Sequence, residues 1–144
     1  MLTVNVICVG SLKERYWVEA CREYEKRLSA FCRLNVVSLD ESCPKKEASG
    51  ILKAADGYKI ALCIEGASIS SPQLARRLEQ VSMLHSKVSF LIGGSDGLAE
   101  EVKQQADVCL SFSALTFPHQ MMRVIVLEQV YRAFTIQRNM AYHK

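Results

Sequence analysis

The sequence predicts an α/β domain: a mostly parallel sheet with helices on both faces. Three observations carry that expectation. Short apolar runs alternate with longer segments of helical period along the whole chain, the order expected of a parallel sheet. The run at 59–65 is nearly all apolar through its middle, as in a strand covered on both faces. The chain has 144 residues, 49% hydrophobic and 23% charged, which suits one domain with a real core. No linker, repeat or low-complexity tract divides it, so residues 1–144 are read as a single domain.

LTVNVICV (2–9) is the first strand, ending at Gly10. Residues 14–30 form a helix, because Tyr16, Trp17, Ala20, Tyr24 and Leu28 recur at helical spacing on one face. RLNVVSL (33–39) is the second strand, and a polar connection leads to a short helix near 47–55. KIALCIE (59–65) is the third strand, closed by Gly66. Ser70-Ser71-Pro72 starts the next helix with a serine cap and a proline at the first helical position. KVSFLI (87–92) is the fourth strand, closed by Gly93 and Gly94. Leu98, Val102 and Ala106 mark a short helix, DVCLSF (107–112) is the fifth strand, and Pro118 opens a final helix to about Gln137.

No apolar stretch reaches the roughly 18 residues of a membrane span. The N-terminus reads as a strand and not as a signal peptide, so a cytoplasmic protein is expected, with its six cysteines reduced. No two cysteines have CxxC spacing, and no histidine-rich pattern stands out, so no metal site is expected. The net charge of +3 lies wholly in the last 32 residues. There Arg123, Arg132, Arg138 and Lys144 face Glu128 alone, while the preceding 112 residues are balanced. An anionic partner would meet that end best, or the charges simply solvate a terminal helix.

In parallel sheets, ligands bind beyond the carboxyl ends of the strands. The loop GGSDG (93–97) has the glycines of a ligand turn but neither phosphate-binding spacing. Asp96, Glu100 and Glu101 already supply negative charge at the following helix, which disfavours a phosphate and suits an uncharged ring or a cation. A plain tight turn is the alternative. In LSFSALTFPHQMMRVIVLEQVYRAF (110–134) the helix is apolar almost all round, and is thus a core helix or one shared with a second copy of the chain. His119 and Arg123 lie four apart on one face. Glu128 and Arg132 do too, and are placed to pair.

FLIGGSDGL, the 110–134 stretch, the terminal YHK, VGSLKERYW, EYEKRL and LCIEGASISSPQLA together resemble the RlmH family over essentially the whole chain. That family comprises ribosomal RNA methyltransferases of the SPOUT class. The resemblance implies methyl transfer from S-adenosylmethionine to nitrogen-3 of a pseudouridine in 23S rRNA of the assembled ribosome. It implies a homodimer and a C-terminal trefoil knot with the donor among its loops. Matched by motif, the donor-binding positions are Leu62, Gly93, Phe112, Ser113, Ala114, Leu115, Thr116 and Phe117. His143 and His119 are the candidates for removing the imide proton. Arg123, Tyr142 and Lys144 are expected to contact RNA or a partner subunit. Gly93→Trp is expected to fill the donor site while sparing the fold. This chain departs from the family in a shortened stretch between the second and third strands and in Ala141, where many members have proline. The competing functions are a non-catalytic ribosome-binding factor and a flavin- or nicotinamide-binding oxidoreductase on a similar sheet.

Overall fold

The structure, a computed structural model, describes residues 1–144. Five strands and five helices alternate: β1 (Thr3–Val9), α1 (Arg15–Leu28), β2 (Arg33–Leu39), α2 (Pro44–Ala54), β3 (Tyr58–Ser68), α3 (Ser71–Leu84), β4 (Lys87–Ile92), α4 (Glu100–Gln105), β5 (Val108–Ser111) and α5 (His119–Gln137). The strands form one sheet in the order β2-β1-β4-β3-β5, and every pairing is parallel.

Strand alternation decides which helix covers which face. Val4, Val6, Cys8, Ile60, Leu62, Val88, Phe90, Ile92 and Leu110 point to one side, where they meet α1, α3 and α5 in a core of 22 buried residues. Ile7, Val9, Ala61 and Leu91 point to the other side and meet α2 and α4 in a core of eight. The apolar runs of β1, β3 and β4 follow from this two-sided cover. Helix α5 is packed against both α1 and α3, burying Val126, Leu127, Val130, Ala133 and Phe134 completely or nearly so.

Three expectations change. First, β3 does not stop at Gly66 but runs on to Ser68, after a register shift against β5 between Leu62 and Ala67. At Gly66 a Cβ would stand 2.8 Å from the Cys109 and Leu110 backbone, so this glycine permits a close crossing inside the strand. Second, α2 begins at Pro44, with Glu47 folding back to accept a hydrogen bond from the Ser42 N–H (2.8 Å). Third, Tyr16 is 60% exposed rather than part of the inward stripe, which runs through Cys21 and Leu28. The first turn of α1 stands at the carboxyl edge of the sheet, where residues 13–16 are all exposed.

α3 starts one residue earlier than expected, at Ser71, so that Pro72 is its second residue and Ser70 its cap. Ser70 Oγ accepts from the Gln73 N–H (3.2 Å) and Gln73 Oε1 from the Ser70 N–H (2.8 Å), a complete capping box. At the other end of the chain, α5 stops where Asn139 takes a left-handed conformation (φ 55°). That turn sends the tail back along α5, where the Tyr142 hydroxyl donates to Glu128 (2.9 Å).

Candidate active site

The loops at the carboxyl ends of β3, β4 and β5 enclose a cleft of about 340 Å³. Its walls come from Leu62 to Glu65 in the irregular part of β3, from the glycine loop at 93–98, and from 111–117 ahead of α5. Ile64 and Leu115 are 51% and 69% exposed, apolar side chains left open at the cleft. Lys103 and Glu65 pair at the wall, and each holds the other in its charged form: Glu65 is pushed below the usual carboxylate range and Lys103 above the usual amine.

Residues 111–117 contain no helix or strand beyond Ser111, yet they are fastened. Ser111 Oγ donates to the Ser113 carbonyl, and Ser113 Oγ accepts from the Leu115 N–H, both at 3.0 Å. Residues 112–117 enter no backbone–backbone hydrogen bond, which leaves main-chain donors and acceptors at the cleft suited to reading the edge of a flat ring.

The glycine loop is held from below and from the side. A Cβ on Gly93 would stand 2.4 Å from the Gly97 carbonyl carbon and 2.8 Å from the Leu98 nitrogen. The glycine is therefore required by the chain's own turn, in which Gly97 has φ +81° and its N–H donates to the Gly94 carbonyl (3.0 Å). The expectation that Gly93→Trp spares the fold is corrected on this ground. From the β2–α2 loop, Glu41 accepts a 2.7 Å hydrogen bond from Ser95 Oγ. That bond is the main reason the Glu41 carboxyl is held below its ordinary range, with His119 and Lys13 adding to the effect.

The motif-matched positions converge. Leu62, Gly93, Phe112, Ser113, Leu115, Thr116 and Phe117 all line the cleft, and so does His119. Ala114 is exposed and is not on the wall. Ser95 and Asp96 of the glycine loop line it too, and so do Glu65, Lys103 and Met122, which the sequence reading missed. Asp96 and Ser95 were legible as neighbours of Gly93, and Glu65 as the residue after the apolar run. Lys103 and Met122 carry no local signal, because a helix brings each in from elsewhere.

The C-terminal candidates lie apart from this cleft. Arg123 is corrected from a surface contact to an internal tie. It is 4% exposed, with Nη2 donating to the Gly10 carbonyl (2.7 Å) and Nη1 to Ser38 Oγ (3.1 Å). Arg132 pairs with Glu128 at 2.8 Å, and the Arg138 guanidinium lies 4.7 Å from the Phe31 ring centre. Most of the basic excess of the last 32 residues is thus engaged within the chain. Tyr142 packs edge-on against Tyr131 at 4.9 Å, and His143 Nδ1 lies 3.1 Å from Arg132 Nη1. Lys144 is exposed at the end.

A family model described as predicted SPOUT methyltransferase matches residues 2–143. A relative from Caldicellulosiruptor saccharolyticus, named ribosomal RNA large subunit methyltransferase H, is 42% identical over 153 residues, covering 98% of this chain and 99% of its own. A relative of the same name from Streptococcus equi subsp. zooepidemicus is 42% identical over 159 residues, covering 99% and 100%. Among solved structures, a probable methylase family protein from Haemophilus influenzae superposes with a TM-score of 0.58 at 15% identity, over 98% of this chain and 70% of that one. TrmJ from Z. mobilis gives 0.54 at 11%, over 93% and 70%. These two share the fold. The family match spans nearly the whole length and the named relatives align end to end. The chain belongs to the SPOUT methyltransferase family.

Proposed function

We propose that the chain methylates nitrogen-3 of a pseudouridine in 23S rRNA of the assembled ribosome, using S-adenosylmethionine, as a cytoplasmic homodimer. The observation that carries the reading is the meeting of Leu62, Gly93 and the 112–117 loop on one cleft, at the carboxyl edge of a parallel sheet. The named relatives supply the substrate class.

The residues present fit the donor. Leu62, Leu115 and Phe117 offer apolar surface for a flat ring, and the serine-fastened loop offers backbone donors and acceptors for its edge. With Glu65 balanced by Lys103, Asp96 is the unpaired carboxylate at the wall, which suits a cationic centre better than the phosphates of a flavin or nicotinamide cofactor. When bound, the donor supplies an electrophilic methyl carbon. The protein's part is to align that carbon with the target nitrogen and to take the imide proton. Of the two histidines considered, His119 is in the cleft, whereas His143 lies against Arg132 on the flank of α5. Tyr142, His143 and Lys144 are then contacts to RNA or to the partner subunit. The second copy rests on the family resemblance and on an α5 that is apolar almost all round. The trefoil knot belongs to the same reading.

The test is labelled methyl transfer to ribosomes lacking the modification, compared with free RNA, alongside equilibrium dialysis against S-adenosylmethionine, FMN and NAD. Methyl label mapped to one pseudouridine, with donor binding, is the expected result. Tight FMN binding without donor binding refutes the reading. Donor-independent ribosome binding without label favours a non-catalytic factor.

A further inference from the structure

The loops after β1 and β2 stand beside the donor cleft but carry none of its wall. They are nonetheless fastened to the first turns of α5 and, at Glu41, to Ser95 of the cleft wall. Arg123 holds the Gly10 carbonyl and Ser38, the Lys13 N–H donates to Gln120 Oε1 (3.0 Å), and Glu41 takes the Ser95 hydroxyl. Glu41 and His119 both border Gly10. A Cβ on that glycine would stand 3.5 Å from Glu41 Oε2 and 3.5 Å from His119 Nε2. The space between carboxylate and imidazole is therefore open because Gly10 has no side chain. Glu41 Oε1 is occupied by Ser95, whereas Oε2 has no hydrogen-bond partner in the chain and borders that space.

Resting on the functional reading above, we infer that the gap over Gly10 receives the edge of the acceptor base, with His119 as the proton acceptor and Glu41 as the residue that positions and charges the imidazole. His119 borders both the gap and the donor cleft, so it stands where acceptor and donor meet. In the step itself the imide N–H proton passes to His119 Nε2. The nitrogen lone pair forms the new bond to the methyl carbon, the carbon–sulfur bond breaks, and its electrons return to sulfur as a neutral thioether. Glu41 favours the imidazolium so formed, as a carboxylate beside a histidine does. The other charged groups around the pair are Lys13 on the β1–α1 loop, Asp96 on the glycine loop and Arg123 one turn along α5, the last buried and directed to Gly10 and Ser38.

The experiment compares Glu41→Gln, Glu41→Asp and His119→Gln with the unaltered chain. The His119 imidazole is titrated by NMR in the donor-free protein, with its signal assigned through His119→Gln. Donor affinity is measured by calorimetry, and kcat for methyl transfer is followed across pH. Glu41→Gln is expected to move the His119 midpoint to lower pH and the acid limb of kcat with it, with donor affinity within about twofold and kcat down about tenfold. Glu41→Asp recovers part of both shifts. His119→Gln is expected to lose about a hundredfold in kcat. An unmoved His119 midpoint in Glu41→Gln overturns the pairing, and full kcat in His119→Gln overturns the proton transfer. Equal loss of donor affinity and kcat in Glu41→Gln overturns the positioning role and leaves Glu41 as a prop for the glycine loop. Failure of the functional reading shows separately, as absence of donor binding and label in the unaltered chain.

Discussion

At Gly93 a single methyl group has nowhere to go. The nearest atoms are backbone of the same turn, 2.4–2.8 Å away, and cannot rotate aside as a side chain would. Gly93→Ala is expected to cost about 1–3 kcal/mol in urea unfolding and to weaken donor binding with it, because the whole glycine loop shifts. Arg123 is the converse case, a large side chain that the interior needs. Nothing acidic pairs with it, and its Nε finds no partner. Its two bonds to Gly10 and Ser38 are what offset its burial, so Arg123→Met leaves the Gly10 carbonyl short of a donor. A loss of about 1–3 kcal/mol is expected, and salt does not screen it. Tyr142 is the residue whose state follows pH. Burial, then the Glu128 carboxylate that accepts its hydrogen bond, push its hydroxyl up to about 12 from 10.0. The neutral form docks the tail, so the tail's full contribution holds below about pH 10 and is lost as pH rises towards 12. An absorbance titration is expected to show a late-ionising tyrosine that Tyr142→Phe removes.

Among the elements, legibility followed the strength of the local signal. The start of α3 was readable to within a residue, because serine and Pro72 are both cap chemistry; Ser70→Ala is expected to lower thermal stability by about 1 kcal/mol. β1 and β4 were readable because two-sided cover leaves long apolar runs. The end of β3 was not, since Gly66 has the same appearance whether it stops a strand or lets one cross another's backbone. Tyr16 misled in the same way: helical spacing places a residue on a stripe, but not beneath a neighbour, and the first turn of α1 has none. For the site, contiguous stretches such as 112–117 carried over directly, apart from Ala114. The Glu41–Ser95 bond joins residues 54 positions apart, and no periodicity or motif foretells it. The same blindness affected charge: counting basic residues along α5 could not show that Arg123, Arg132 and Arg138 are each engaged internally.

For the whole molecule, the tail and the second copy are the open tests. Tyr142, His143 and Lys144 fold back on the flank of α5 and take no part in the wall of their own cleft. Their removal is expected to harm methyl transfer far more than donor affinity; equal loss of both would mean that the tail supports the pocket. Sedimentation of the intact chain is expected to give a dimer. The place of α5 between α1 and α3 also bears on how the protein is made. This helix is made after all five strands and the other four helices, yet two of those helices rest on it and the loop that precedes it is one wall of the cleft. A nascent chain halted anywhere short of residue 119 shows both of those helices' greasy sides to its surroundings, so clumping and proteolysis, and not a feeble enzyme, are the expected fate of interrupted synthesis.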